Sequence, residues 1–167
     1  MTQISKPPTA EQFMRRNVRT VRPDMTLNEI IEFLLLHELS NAPVVDDVDG
    51  KSSLVGFLSE RDCLAALSRE AFFGSPAPRQ SAATIMRRHP VCVSPDTELF
   101  ALASIMVNHG FRHLPVTDDK TLLGIVSRRD ILRAMNAYES QQIDETAREH
   151  ARPDVHQLVN HRFLFSD

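Results

Sequence analysis

The sequence predicts an α+β fold, sandwich-like, built from two tandem β-α-β-β-α units, and three observations carry that prediction. Residues 13–73 and 84–138 repeat one another phrase by phrase. Each copy places an amphipathic helical pattern ahead of two short apolar strands. Each closes on the same phrase, Gly56-Phe57-Leu58-Ser59-Glu60-Arg61-Asp62 and Gly124-Ile125-Val126-Ser127-Arg128-Arg129-Asp130.

Taken in order, residues 1–12 carry Pro7-Pro8 among small polar neighbours and are expected to form a loose N-terminal arm. Met14-Arg15-Arg16 then returns as Met86-Arg87-Arg88, and Val21-x-Pro23-Asp24 as Val93-x-Pro95-Asp96. Each of the latter is a short extended stretch that stops at a proline and starts a helix. In the first helix Leu27, Ile30, Ile31, Leu34 and Leu35 share one stripe; in the second, Leu99, Leu102, Ala103, Met106 and Val107 do. Both stripes are predicted to face a core. His37 and His109 fall at the matching helix ends, where the macrodipole favours them.

The strands Ala42-Pro43-Val44-Val45-Asp46-Asp47 and Leu114-Pro115-Val116-Thr117-Asp118-Asp119 run into acidic turns. The first copy has four extra residues within Val48 to Ser53, predicting a longer hairpin loop. Second strands are expected at Ser53 to Leu58 and Thr121 to Val126, with closing helices starting at Ser59 and Ser127. Leu64 and Leu67 in the first closing helix match Leu132 and Met135 in the second. Gly74-Ser75-Pro76-Ala77-Pro78 is rich in breakers and marks a linker, taken as 74–83. Residues 139–167 form a C-terminal tail: a polar, helix-compatible stretch from Glu139 to Ala151, a break at Arg152-Pro153, and an apolar segment at 158–165. That last segment is expected to dock on the body or on a partner chain.

Composition narrows the function. The chain has 167 residues, enough to bury a core without disulfides or metal. No apolar run approaches a membrane span, and Met1 to Ala10 lacks the apolar core of a secretory signal. Cys63 and Cys92, the only cysteines, sit in apolar patterns and read as buried free thiols, which suits the cytoplasm. A net charge of −3 weighs against nucleic acid, and the cluster Arg15, Arg16, Arg19 and Arg22 reads as solvated surface. The sequence has no nucleophile elbow, phosphate loop or metalloprotease motif. His109 and His113 are four apart, but Gly110 between them marks a helix end rather than a rigid metal pair. An enzyme is therefore not expected, and no cofactor is required.

The repeated Ser-x-x-Asp phrase has two readings. It is a capping-box-like helix start. It is also a ligand site: free N–H groups at a helix start attract phosphate, the hydroxyl donates, and the carboxylate accepts from two adjacent hydroxyls such as a ribose diol. Two copies in matching positions of a repeat raise the weight of the second reading.

A tandem of this unit resembles the cystathionine-β-synthase (CBS) domain pair, the Bateman module. The resemblance covers about Phe13 to Ala137 and rests on Met14 and Met86, the two Pro-Asp pairs, the two Pro-Val strands and the two Gly-x-x-Ser-x-x-Asp phrases. It implies two units packed sheet to sheet about a pseudo-two-fold axis, clefts that bind adenosine-containing ligands, and pairing of modules into a homodimer. Carried onto this chain, it implies Asp130 and Asp62 as ribose acceptors, and Ser127 and Ser59 as phosphate or ribose contacts. Arg129 and Arg61 are placed to reach phosphates. Ser40, Asn41, Ala42 and Pro43, with Arg112, His113, Leu114 and Pro115, correspond to the residues ahead of each Pro-Val strand that hold adenine or phosphate. Asp130, Ser127 and Arg112 are expected to share one cleft with Ser40, Asn41 and Ala42, and Asp62 and Ser59 to face His113 and Leu114. The clefts should differ, since Ser40-Asn41 stands where the second copy has Arg112-His113.

Arg61, Arg112, Arg128 and Arg129, with His113, favour AMP, ADP or ATP over the cationic S-adenosylmethionine. The expectation is thus a stand-alone regulatory module that binds an adenine nucleotide and signals to a separate, unidentified protein effector. The alternatives are a ligand-free dimerisation module or an S-adenosylmethionine sensor.

Overall fold

The computed structural model describes residues 6–48, 50–73 and 79–150, and of these the backbone alone at 48, 70–73 and 144–150. The linker stretch 74–78 and the apolar tail segment 158–165 lie outside the described residues. The first half runs α1 (Ala10–Phe13), α2 (Leu27–Leu36), β1 (Asn41–Val48), β2 (Lys51–Ser59) and α3 (Glu60–Phe73). The second runs α4 (Ala82–Ile85), β3 (Arg87–Arg88), α5 (Leu99–His109), β4 (His113–Asp118), β5 (Thr121–Ser127) and α6 (Arg128–His150).

Local chemistry fixes the element ends. Thr26 and Glu29 form a capping box at the start of α2, the Thr26 N–H donating to Glu29 Oε2 at 2.7 Å. Gly110 ends α5 in the left-handed conformation, φ 70°, which glycine adopts without a Cβ penalty. Each hairpin is antiparallel: β1 pairs β2 from Asn41↔Ser59 to Val48↔Lys51, and β4 pairs β5 from His113↔Ser127 to Asp118↔Thr121. The extended stretches before each Pro-Asp shrink to single bridges, Val21 to Val44 and Val93 to Val116.

The strand order is β1-β2-β5-β4, with β3 on β2. Two of the contacts that join the halves pair a residue with its own counterpart in the repeat. Ser53 pairs with Thr121 where β2 meets β5. At the other end Asn41 meets His113, Nδ2 to Nδ1 at 2.8 Å. Such self-matching contacts lie on a two-fold axis that relates the equivalent units.

The two cores do not follow chain order. The first unit's core holds Ile30, Leu34, Val44 and Leu58 but also Ala82, with Ile85 and Met86 packed against it. The second unit's core holds Leu102, Leu114, Val116 and Val126 but also Ala10 and Met14, with Phe13 against it. The short helix ahead of each unit thus packs on the other unit. Backbone hydrogen bonds fix the exchange: Ala10 and Glu11 N–H donate to Thr97 and Pro95 carbonyls at 2.9 Å, and Leu99 N–H donates to Pro8 at 2.9 Å. At the other crossing Leu27 N–H donates to Gln80 at 3.0 Å, and Ala82 N–H to Met25 at 2.8 Å. Helix starts have unpaired N–H groups, and here the exchanged segment supplies their acceptors. From Pro8 onward the segment expected to be a loose arm is therefore a bonded part of the body.

Several other expectations are corrected. Leu35 and Val107, placed on the apolar stripes, are 71% and 79% exposed, and Leu64 and Leu132 also face outward. The buried stripe is narrower, Leu27–Ile30–Leu34 and Leu99–Leu102–Met106. Cys63 is buried, and burial pushes its thiol pKa up, while Cys92 is exposed. The helix-compatible stretch from Glu139 is not a separate element but continues the closing helix, which runs from Arg128 to His150. The four early arginines are exposed, as expected of solvated surface, and three of them also make ion pairs: Arg16 with Glu11, Arg22 with Asp24, and Arg15 with Asp130 of the second unit.

Candidate functional site

Each hairpin ends on its serine, and the carboxylate follows in the first turn of the next helix. In the first unit the Ser59 N–H and hydroxyl both donate to Asp62 Oδ2, at 2.9 and 2.6 Å. In the second, Ser127 makes the same two bonds to Asp130 Oδ2, and Asp130 N–H donates back to the Ser127 hydroxyl at 3.3 Å. The capping-box geometry and the ligand geometry therefore coexist. The capping bonds use Oδ2, so in neither unit does the serine occupy Oδ1. Ser127 and Asp130 are 7% and 8% exposed.

A third group completes each site, and the motif reading did not assign it. Arg15 Nε lies 3.3 Å from Asp130 Oδ2, and Arg87 Nε lies 3.5 Å from Asp62 Oδ1. Both arginines ride on the exchanged segments, pinned by backbone pairing to the motif strand. Arg15 and Ile125 exchange two N–H···O bonds of 3.0 Å, and Arg87 pairs with Phe57. Glycine makes this close approach possible: a Cβ on Gly124 would lie 2.7 Å from Met14 Sδ, and one on Gly56 would overlap Met86 Sδ. The recurrence of Met-Arg-Arg was visible in the sequence, but nothing local shows that each copy crosses to the other unit.

The remaining predicted residues sort by exposure. Arg61, Arg112 and Arg129 are exposed, and their guanidinium groups carry no ion pair or hydrogen bond among the described residues. Arg128 instead donates through Nε to the Phe111 carbonyl at 2.7 Å, bracing the turn before β4. Arg133 adds a second cation to the Asp130 side, 3.9 Å from Oδ1. Ala42, Pro43, Leu114 and Pro115 are buried. The Pro43 and Pro115 carbonyls accept from the Val21 and Val93 N–H groups, tying each strand to the extended stretch ahead of its Pro-Asp pair. The Ser40 and Arg112 carbonyls accept the first N–H of α3 and α6, from Glu60 at 3.0 Å and Arg128 at 3.2 Å. Ser40 Oγ also accepts from Asn41 Nδ2 at 3.0 Å. Beside Asp62 a cleft of about 360 Å³ opens between α3 and α4, walled by Ala65, Ala66, Arg69 and Thr84. The halves differ here, since Arg133 stands where the first unit has Ala65.

His113 sits at the junction. Its pKa is pushed down, first by burial and then by the Arg15 cation; Asp130 opposes the shift, while Arg112 and Arg128 add to it. Its Nδ1 faces the Asn41 amide N–H, a geometry that needs an unprotonated acceptor. A histidine whose folded pKa is depressed binds fewer protons than the unfolded chain does. Its stabilising contribution is then present above the unfolded pKa of about 6.5 and lost as pH falls through the folded value. His113→Asn is therefore expected to flatten the loss of melting temperature between pH 7.5 and 5.5 relative to the native chain. Parallel curves for the two proteins would show that His113 does not carry this dependence.

The CBS domain profile matches residues 10–69 and 82–137, and the chain belongs to the CBS-domain family. It is 32% identical over 139 residues to an uncharacterized 17.7 kDa protein of Acidianus ambivalens, covering 83% of this chain and 79% of that one. It is 30% identical over 132 residues to the inosine-5′-monophosphate dehydrogenase of Methanocaldococcus jannaschii, covering 78% of this chain but only 24% of the dehydrogenase. Among solved structures it is similar to CBSX2 in complex with AMP, at 28% identity and TM-score 0.69, covering 79% of this chain and 98% of CBSX2. No described helix is long and apolar enough to cross a membrane, and no group of three or more His, Cys, Asp or Glu among the described residues could hold a metal ion.

Proposed function

We propose that this chain is a non-catalytic regulatory module that binds an adenine nucleotide, AMP, ADP or ATP, between its two CBS units and signals to a separate protein in the cytoplasm. The observation that carries the reading is the twofold recurrence of a Ser-held carboxylate with an arginine beside it. The AMP complex of the similar CBSX2 supports the ligand class. The carboxylate takes the ribose diol, and the exposed Arg61, Arg112 and Arg129 take phosphate oxygens with Ser59 and Ser127. The Asn41–His113 contact bridges the units, so a phosphate beside His113 raises its pKa and changes that bridge. A ligand shifts the angle between units only so far as it binds one arrangement better than the other.

A second copy of the chain is the expected partner for the outward apolar faces. Leu35 and Val107 on α2 and α5, and Leu64 and Leu132 on α3 and α6, present equivalent positions from both units, and Leu36 adds to the first. The same faces support a second reading, a dimerisation module without ligand.

The test is a thermal-unfolding series with AMP, ADP, ATP, S-adenosylmethionine and GTP, beside light scattering for the mass of two chains. A nucleotide at a hundred times its Kd adds about 2.7 kcal/mol, a rise of roughly 5–10 °C for a chain of this size. Adenine nucleotides should give that rise, and Asp130→Ala should remove or halve it. A dimer unmoved by all five compounds would establish the ligand-free reading instead.

A further inference from the structure

We propose that Arg15 and Arg87 are the specificity residues of this site, selecting a nucleoside that carries a 5′-phosphate over the same nucleoside without one. The inference rests on the nucleotide reading above and assigns the discrimination within it. Each guanidinium touches its carboxylate through Nε, 3.3 Å in one unit and 3.5 Å in the other. Among the described residues neither has another hydrogen-bond or ion-pair partner. The side chains are 56% and 65% exposed, so each lies over its carboxylate on the solvent side.

Anything whose diol is to reach Asp130 or Asp62 meets that arginine first. A neutral nucleoside pushes the guanidinium off the carboxylate and gives it no anion in return. A 5′-phosphate sits one sugar ring away from the diol and offers two oxygens to the free Nη groups, a bidentate match that arginine is built for. The arginine then exchanges one anion for another, and the cost of uncovering the carboxylate is returned. A sulfonium in place of the phosphate repels the same guanidinium. The backbone cannot follow, because Arg15 is locked to Ile125 and Arg87 to Phe57. Only the side chain swings, which keeps the swap local. The device occurs once per unit, carried each time by the segment that crosses from the other half.

Isothermal titration of adenosine and AMP into the native chain, Arg15→Ala, Arg87→Ala and Arg15→Lys tests this. The native chain should prefer AMP. Hydrogen bonds to charged groups contribute about 1.5–3 kcal/mol, so each alanine variant should lose roughly ten- to hundredfold in AMP affinity at its own cleft. Adenosine affinity should stay level or rise, because the carboxylate is then uncovered. Arg15→Lys, charged but without the fork, should keep only part of the preference. Equal losses for adenosine and AMP would make the arginines structural and overturn the proposal, as would an unchanged AMP preference. A native chain that binds neither compound would overturn the nucleotide reading itself, a separate outcome.

Discussion

Deleting residues 1–16 is expected to destabilise the second CBS unit, not the first to which those residues belong in chain order. The deletion removes Ala10, 0% exposed, and Met14, 7% exposed, from a core otherwise built of Leu99, Leu102, Leu114 and Val126. Emptying a buried methionine site alone costs about 2–5 kcal/mol. The deletion also strips the acceptor at Pro8 from the Leu99 N–H and leaves the Thr97 and Pro95 carbonyls without their Ala10 and Glu11 donors. A fall in melting temperature of roughly 10 °C or more is the expected size for a chain of this length. Hydrogen exchange locates the damage. Amides of α5 and β5 should lose protection, while α2 and β2, covered by the intact α4, keep theirs. Loss centred on α2 and β2 would mean that the exchange of segments does not hold in solution. The milder Met14→Ala should show the same pattern at smaller amplitude.

Most of the fold was legible because the repeat is legible. Leu27, Ile30 and Leu34, and their counterparts Leu99, Leu102 and Met106, announced two helices, and the Pro-Val strands announced two hairpins. Gly110 between His109 and His113 was correctly read as a helix end. Local patterns cannot say which unit a short segment covers: Ala10-Glu11-Gln12-Phe13 looks the same whichever core it caps. The apolar stripes were read too wide for a related reason. Leu35 and Val107 continue the helical spacing, but an apolar residue at the stripe's edge serves a core or an exposed face equally well. The Ser–Asp pairs were found by motif. Arg15 and Arg87 were missed because their carboxylates lie in the opposite half of the chain, or across the linker, from the segment that carries them.

The glycines of the two motif phrases should respond unequally to the same substitution, and the inequality tests how each arginine is held. In Gly56→Ala the new Cβ overlaps Met86 Sδ and lies 2.8 Å from its Cγ, with the Arg87 carbonyl at 3.2 Å. The obstacle is mainly a flexible side chain, which can turn aside. In Gly124→Ala the Cβ lies 2.7 Å from Met14 Sδ and also 2.9 Å from the Arg15 carbonyl, which is backbone fixed by two hydrogen bonds to Ile125. Overpacking of this kind costs about 1–3 kcal/mol, and Gly124→Ala should lie at the upper end while Gly56→Ala lies at or below the lower. Second-site changes separate the causes. Met86→Ala should recover most of the Gly56→Ala loss, a strongly non-additive pair. Met14→Ala should recover little in Gly124→Ala, because the carbonyl remains in the way. Displacing that carbonyl moves Arg15 off Asp130, so Gly124→Ala should also weaken AMP binding more than adenosine binding. Equal destabilisation of the two glycine variants, each fully rescued by its methionine partner, would show that the strand yields freely and that Arg15 is not held in place by its backbone.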